Sequence, residues 1–319
     1  MKKNVLVTGG AGFIGSNLVE YLLKDPRVGI VRVLDNFATS NYNNIKNFET
    51  NPAFQFLEGD VRDYNVCLEA CKDMQLISHQ AALGSVPRSI KDPISSTTVN
   101  ITGTVNVFTA ARETGISRVV YAASSSKYGD STGLPKSENT NGKLLSPYAI
   151  TKYTMELFAS VFGDLYDTEF IGLRYFNVFG PRQNPNGDFA AVIPLFFKAA
   201  LSGKAATING DGSHSRDFTY VQNVINANVL ALFTQNEKAI NEIFNVACGE
   251  RTSLIELWDY ICETVDADII AVHGPERVGD IPHSLADISK GRNILSYIPE
   301  IDLKQGLQLS YKWYRDYFK

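Results

Sequence analysis

The run Thr8-Gly9-Gly10-Ala11-Gly12-Phe13-Ile14-Gly15 limits the possible folds of this chain more than any other feature. Its three glycines at GxxGxxG spacing stand between a β-branched run, Asn4 to Thr8, and an amphipathic stretch, Phe13 to Lys24. Strand, glycine turn and helix in that order open a βαβ unit. Gly9 allows the tight turn, Gly12 lets backbone approach a pyrophosphate, and Gly15 lets helix and sheet close on each other. The helix N-terminus then offers amide N–H groups and a favourable dipole to an anion.

The alternation continues through the first half. Strands are expected over 30–34, 54–57, 76–79, 118–122 and 170–174, with helices over 63–72, 93–114 and 147–166. This predicts an α/β fold, a Rossmann-type doubly wound parallel sheet with right-handed crossovers. Beyond residue 175 the elements shorten, and loops rich in Gly, Pro and Asn (180–187, 209–215, 273–282) separate them. A nucleotide-binding domain over 1–175 and a smaller C-terminal α/β substrate lobe over 176–319 are expected, interleaved, with 217–246 returning to the first domain. At 319 residues without a Gly/Ser linker, the lobes pack together rather than being tethered.

Asp35 ends the second strand about 20 residues beyond the glycine turn. A carboxylate there accepts hydrogen bonds from ribose hydroxyls and repels a 2′-phosphate, which favours NAD over NADP. Asp60, in Leu57-Glu58-Gly59-Asp60-Val61, closes another strand at the same edge and is a candidate adenine contact.

With 30 Lys and Arg against 34 Asp and Glu, the net charge of −4 gives no global attraction for nucleic acid or an anionic membrane. Affinity for a phosphorylated ligand must come from individually placed groups. No stretch reaches the roughly 18 apolar residues that span a bilayer, and MKKNVLVTGG is too short in its apolar run for a signal peptide. A cytoplasmic location is expected. The cysteines, 67, 71, 248 and 262, show no metal-type pairing, and no metal site is expected.

Tyr148 and Lys152 lie four apart in Ser146-Pro147-Tyr148-Ala149-Ile150-Thr151-Lys152, with Pro147 suited to a first helical turn. Both side chains then share a face. An ammonium beside a phenol favours the phenolate and makes Tyr148 a usable base near neutral pH. The pattern gains force from Tyr121-Ala122-Ala123-Ser124-Ser125-Ser126, a strand running into three hydroxyls, followed by Tyr128-Gly129. A hydroxyl at the end of that strand can orient a reacting sugar oxygen beside the tyrosine.

With these parts assembled, the sequence resembles the extended short-chain dehydrogenase/reductase family over its whole length. The resemblance lies in TGGAGFIG (8–15), LDNF (34–37), GDVRD (59–63), HQAA (79–82), SSSKYGD (124–130), PYAITK (147–152) and LRYFNVFGPRQ (173–183). Within that family it is similar to nucleotide-sugar 4-epimerases, in particular the bacterial UDP-N-acetylglucosamine 4-epimerases of polysaccharide biosynthesis. That likeness is carried by ALGSVPRSIKDP (82–93), DFAAVIP (188–194), INGDGSHSRDF (208–218) and HSLADISK (283–290).

The resemblance implies Tyr148 as base, Lys152 on the nicotinamide ribose, and Ser125 or Ser124 as catalytic hydroxyl. For the cofactor it implies Gly9, Gly12, Phe13, Ile14, Gly15, Asp35, Asn36, Asp60, Val61, Gln80, Ala81, Ala82, Asn100, Tyr175 and Val178 alongside Tyr148 and Lys152. For the UDP-sugar it implies Gly84, Ser85, Arg88, Ser126, Asn177, Ala191, Val192, Asn209, Arg216, Arg277, Asp280 and Ser284. Arg216 and Arg277 would take the diphosphate, for which a guanidinium fork is suited. Ser284 would border the C2 substituent, where a small residue leaves room for an N-acetyl group. A homodimer formed through the helices at 93–114 and 147–166 is implied as well.

The activity so implied is reversible C4 epimerisation of a UDP-hexose, UDP-GlcNAc/UDP-GalNAc ahead of UDP-glucose/UDP-galactose or UDP-glucuronic acid. A dehydratase or decarboxylase of the family needs carboxylates between the catalytic hydroxyl and Tyr128, where this chain has only Ser and Lys127. Lys127 departs from the small hydroxyl residue expected there, which leaves open an anionic contact favouring a uronic acid. A non-catalytic NAD-binding regulator would keep the glycines and Asp35 but have little use for Ser125, Tyr148 and Lys152 together.

Overall fold

The computed structural model describes residues 2–186, 190–275 and 281–319. Seven parallel strands form the central sheet: β1 (Lys3–Thr8), β2 (Val28–Asp35), β3 (Phe54–Glu58), β4 (Leu76–His79), β5 (Arg118–Ser124), β6 (Glu169–Tyr175) and β7 (Glu242–Val246). Their order is β7-β6-β5-β4-β1-β2-β3. The chain reverses direction across the sheet between β1 and β4, and the loops at the carboxyl ends diverge there to leave a crevice.

Successive strand residues feed opposite cores, as a sheet covered on both faces requires. On one side Val5, Val7, Val120 and Ala122 pack with Leu18, Val19 and Leu22 of α1 (Phe13–Leu22). Across the sheet Leu6, Ile77, Val119 and Tyr121 pack under three helices, α2 (Tyr64–Cys71), α5 (Gly103–Glu113) and α6 (Pro147–Leu165). Cys67 and Cys71 belong to this second core, where burial pushes both thiols up to about 12.

The 93–114 stretch, expected as one helix, is instead α4 (Pro93–Thr97), a π-helical segment over Thr98–Thr102, and α5. The interruption falls on Asn100, fully buried, whose side chain leaves the helix to bond Leu83 N (2.8 Å), Leu83 O (3.1 Å) and Thr151 Oγ1 (3.1 Å). A π-turn of this kind accommodates a residue recruited to other work.

After β6 the chain leaves the sheet and returns twice. Helix α8 (Val221–Phe233) packs beside α1, and β7 pairs with β6 from Glu242↔Ile171 to Val246↔Tyr175. The Arg118 guanidinium caps the end of α8 through Ala231 O, Leu232 O and Thr234 O at 2.9–3.2 Å. The remaining segments bring α7 (Val192–Leu201), α9 (Leu254–Val265) and α10 (Leu303–Tyr317) together, with Phe196 edge-on to Trp258 and Phe197 stacked on Tyr314. Their side chains are continuous with the α1/α8 core. Among the described residues no helix is long and apolar enough to cross a membrane.

Candidate active site

The glycine turn forms because no side chain fits. A Cβ on Gly15 would lie 2.1 Å from Gly9 O, and one on Gly9, where φ is +68°, would lie 2.7 Å from Ala81 N. Gly10, outside the GxxGxxG reading, is equally constrained, since a Cβ would meet the Val33 side chain at 2.7 Å. Gly12 is the N-cap of α1 and supplies no capping side chain, so the amides of Phe13 and Ile14 remain for an anion. Glycine packing and helix terminus thus make the cradle a dinucleotide pyrophosphate requires.

Asp35 sits at the end of β2 and is 8% exposed. It accepts hydrogen bonds from Ala11 N (3.0 Å), Phe37 N (2.9 Å) and Ser40 Oγ (2.7 Å). The carboxylate is locked against the glycine turn, with acceptor capacity left for a ribose hydroxyl and a charge that repels a 2′-phosphate. Asp60 differs: Arg62 forms an ion pair with it at 2.6 Å and Asn36 Nδ2 donates at 2.8 Å. Chiefly through its hydrogen bonds to Arg62, against some burial, its carboxyl is held down at about 2. Its oxygens are occupied, so Asp60 shapes this edge by fixing Asn36 and Arg62. The Val61 side chain is buried where a Cβ on Gly103 would collide with it.

Beyond β4, Gln80 turns inward. Its Nε2 donates to Ser78 Oγ (2.9 Å), Tyr175 Oη (3.0 Å) and Asn228 Oδ1 (3.0 Å), so the polar end of Tyr175 is tied beneath the carboxyl edge. Ala81 N reaches Thr8 Oγ1 at 3.3 Å, and Ala82 follows on the same loop. Val178 begins a two-residue strand paired with Thr219.

Pro147 occupies the first turn of α6, capped by Ser146 Oγ accepting from Ala149 N at 3.1 Å. Tyr148 N donates to Ser89 Oγ (3.0 Å) on α3 (Val86–Lys91), which fixes the start of the helix against the substrate-side loop. Burial raises the Tyr148 phenol above its ordinary value, and a hydrogen bond with the Ser124 side chain works in the opposite direction. Ser124 is the last residue of β5, and its side chain acts to lower the phenol. Ser125, one residue on, has no such bond among the described contacts.

Lys152 lies on the same face as expected, but its ammonium donates to Ala122 O at 2.7 Å and is 3% exposed. Burial lowers it to about 8, with Glu156 opposing. The expected depression of the phenol by Lys152 is therefore not seen. The lysine charge is spent on the carboxyl end of β5, and desolvation governs the tyrosine.

Ser126 Oγ is buried without a hydrogen-bond partner among the described residues, while its backbone N–H donates to Ser124 Oγ at 3.2 Å. A buried hydroxyl left unpaired beside Ser124 suits a ligand oxygen. Lys127 turns away from the site, donating to Thr140 O (3.0 Å) and Asn141 Oδ1 (2.5 Å) with its ammonium over the Tyr153 ring.

On the substrate side, Ser85 (φ +94°) and Asn177 (φ +34°) hold left-handed backbones that a non-glycine residue pays for. Ser85 Oγ accepts from Arg88 N (3.4 Å), and Asn177 Nδ2 donates to Asp217 O (2.9 Å). Gly84 has open space where a Cβ would project. Ala191 and Val192 start α7, and Asn209 ends the short strand Thr207–Asn209. Arg216 Nη1 donates to Ser215 O (3.0 Å) and Pro282 O (3.1 Å), and Ser284 N donates to Ser215 O (3.0 Å). Arg277 and Asp280 lie outside the described residues.

Sequence reasoning missed several supports. His79 bridges Thr8 Oγ1 (2.7 Å) and Thr104 Oγ1 (3.1 Å), and burial lowers it to about 3, so it is neutral. Arg174 forms a bidentate ion pair with Glu156 (2.8 Å for each bond) and donates to Tyr128 Oη and Glu138 O behind the catalytic loop. Neither has a local sequence signal, because each is a partnership across strands.

Known proteins are similar to this chain in sequence and fold. A family model described as the NAD dependent epimerase/dehydratase family matches residues 5–247. A putative UDP-glucose 4-epimerase of Methanocaldococcus jannaschii is 38% identical over 314 residues, 98% of each chain. Among solved structures, a UDP-N-acetylglucosamine 4-epimerase of Methanobrevibacter ruminantium in complex with UDP-N-acetylmuramic acid superposes with a TM-score of 0.93 at 37% identity, covering 99% of this chain and 100% of that one. A UDP-glucuronic acid 4-epimerase of Bacillus cereus with UDP-glucuronic acid and NAD gives 0.90 at 32% identity, covering 98% and 99%. On its glycine cradle, its Ser124–Tyr148–Lys152 constellation and these likenesses, the chain belongs to the NAD-dependent epimerase/dehydratase family.

Proposed function

We propose that this protein interconverts C4 epimers of a UDP-hexose, with UDP-GlcNAc and UDP-GalNAc as its preferred pair, supplying precursors for surface polysaccharide. The observation that carries the reading is Tyr148 and Lys152 one helical turn apart on the buried face of α6, with the Lys152 ammonium donating to Ala122 O at 2.7 Å on β5, the strand that ends at Ser124. Bound NAD supplies a hydride acceptor and donor for C4. Tyr148 takes the C4 hydroxyl proton and returns it, and Ser124 holds the reacting oxygen in line. Lys152 anchors the nicotinamide ribose from the same helix face.

The hexose must turn over between the two hydride transfers while its diphosphate stays fixed. Arg216, with Arg277, serves that anchoring role, and Ser85, Arg88, Asn177, Ala191, Val192 and Asn209 hold the nucleotide and sugar. Ser284 leaves space for a 2-acetamido group. Lys127 is engaged with Thr140 and Asn141, which weighs against a uronic acid, since its cation is not directed at the sugar.

The protein acts as a cytoplasmic homodimer in this reading. Ile150, Leu157, Val161 and Leu165 form one stripe along α6, each 50–65% exposed, and Ile90 (62%) and Ile94 (76%) extend it onto α3 and α4. An apolar face of that extent is characteristic of a protein–protein contact.

The test is Tyr148→Phe. It is expected to retain NAD and to lose epimerisation of UDP-GlcNAc; full activity in that variant would refute the assignment.

A further inference from the structure

Ser284 is held by a ladder with two sides. On one side, Ser215 N donates to Pro282 O (2.9 Å) and Ser284 N donates to Ser215 O (3.0 Å), a parallel bridge between Ser215 and His283. On the other, Lys136 N donates to Leu285 O (2.8 Å) and Asp287 N donates to Lys136 O (2.9 Å), a parallel bridge between Lys136 and Ala286. Asp217, fully buried, adds a bond from Ala286 N to its Oδ2 at 3.2 Å. Asn245 Nδ2 bonds both Lys136 O (2.8 Å) and Asp287 O (3.0 Å). The 282–287 segment is thus fastened to the loop that follows the catalytic strand and to the 215–217 strand.

Two groups of the proposed substrate site share one rung. Arg216 Nη1 bonds Ser215 O and Pro282 O, while Ser284 hangs from the same Ser215 O. The separation of the diphosphate anchor from the wall at C2 is therefore set by how residues 215 and 216 register against 282–284. Backbone bonds alone fix such register weakly in a ladder of only a few rungs. Besides the Arg216 bond to Pro282 O, a side-chain pair crosses it at the bridge itself: Ser215 Oγ, on a residue 5% exposed, lies 2.9 Å from His283 Nδ1.

We propose that His283 is a positioning residue for substrate choice, and that its clasp on Ser215 sets the distance between Arg216 and Ser284 and so favours a 2-acetamido over a 2-hydroxy sugar. The inference rests on the epimerase reading above. In that reaction the hexose rotates about a fixed diphosphate, so the C2 wall must stay in register with the anchor through both half-reactions. A clasp one residue from each group fixes that register without touching the sugar. His283 lies outside the proton-handling set.

The test compares His283→Ala, His283→Asn and Ser215→Ala as purified holoenzymes, with UDP-GlcNAc and UDP-Glc as paired substrates. Loss of one partly buried hydrogen bond corresponds to about threefold to tenfold. The ratio of kcat/KM for UDP-GlcNAc to that for UDP-Glc is expected to fall by about that factor in His283→Ala, mostly through KM for UDP-GlcNAc, with NAD content unchanged. His283→Asn, whose amide can occupy the Nδ1 position, is expected to restore the ratio. Ser215→Ala is expected to match His283→Ala, with no further loss in the double variant.

An equal fall for both substrates, failure of Asn to rescue, or additive effects of the two single variants would each overturn the proposal. If His283→Ala does not fold, Ser215→Ala decides alone by the same ratio. Turnover of neither of these nor of UDP-glucuronic acid by the unaltered enzyme would be a failure of the epimerase reading itself and is seen before any variant is compared.

Discussion

Glu156→Gln probes the buried support of the site. The Glu156 and Arg174 side chains are 3% and 4% exposed and meet through two 2.8 Å bonds. Removing the carboxylate charge leaves the buried guanidinium with Tyr128 Oη and Glu138 O as its remaining hydrogen-bond partners among the described residues. Breaking a buried pair from one side costs about 3–5 kcal/mol. With an unfolding entropy of roughly 2.1 cal/mol/K per residue, that corresponds to a fall in Tm of about 4–7 °C for a chain of this length.

Thermal unfolding followed by circular dichroism at fixed NAD and protein concentration measures it. Removing both charges, in Glu156→Gln with Arg174→Met, should recover part of the loss, because the cost lies in the orphaned charge rather than in the absent bonds. A Tm within about 1 °C of the unaltered protein in the single variant, or a double variant less stable than the single, would refute the reasoning. Glu156 also supports the Lys152 charge from four residues along α6, so the single variant should titrate Lys152 at lower pH as well.

Three further outcomes are expected. Ser124→Ala should lower kcat by about 10²-fold or more, whereas Ser125→Ala stays within a few-fold, as read by coupled assay under saturating substrate. Lys152, lowered by burial to about 8, loses its ammonium as pH rises through that value, so kcat/KM should have a falling limb near pH 8; Lys152→Arg, slower throughout, should lack that limb. Leu157→Asp with Val161→Asp puts two carboxylates on the apolar stripe of α6 and should convert a dimer to a monomer in light scattering, and a wild-type monomer would remove the basis for the stripe as an interface.

What the sequence made legible is what repeats locally. The β-branched runs located β1 to β6 within a few residues because the central strands β4 to β6 are buried on both faces, and the glycine turn announced itself because backbone contacts of 2.1–2.8 Å leave no room for a Cβ on Gly9 or Gly15. Tyr148 and Lys152 were readable from helical spacing. What Lys152 does with its charge was not, since Ala122 O comes from another strand. The π-turn at Asn100 was hidden for the same reason, its cause being the bonds to Leu83 and Thr151.

Which serine faces Tyr148 depends on where β5 ends to one residue, beyond what a run of three serines can specify. The same is true of the 215–217 and 282–287 ladder, whose members are separated by more than sixty residues and carry no shared local pattern.

The most direct test of the central claim is epimerisation of UDP-GlcNAc in D₂O with no added NAD, followed by NMR. Hydride removed from C4 and returned within one site predicts UDP-GalNAc with protium at C4, and no appearance of product with Tyr148→Phe. Deuterium incorporated at C4, or no C4 epimer from UDP-GlcNAc, UDP-glucose or UDP-glucuronic acid, would contradict it.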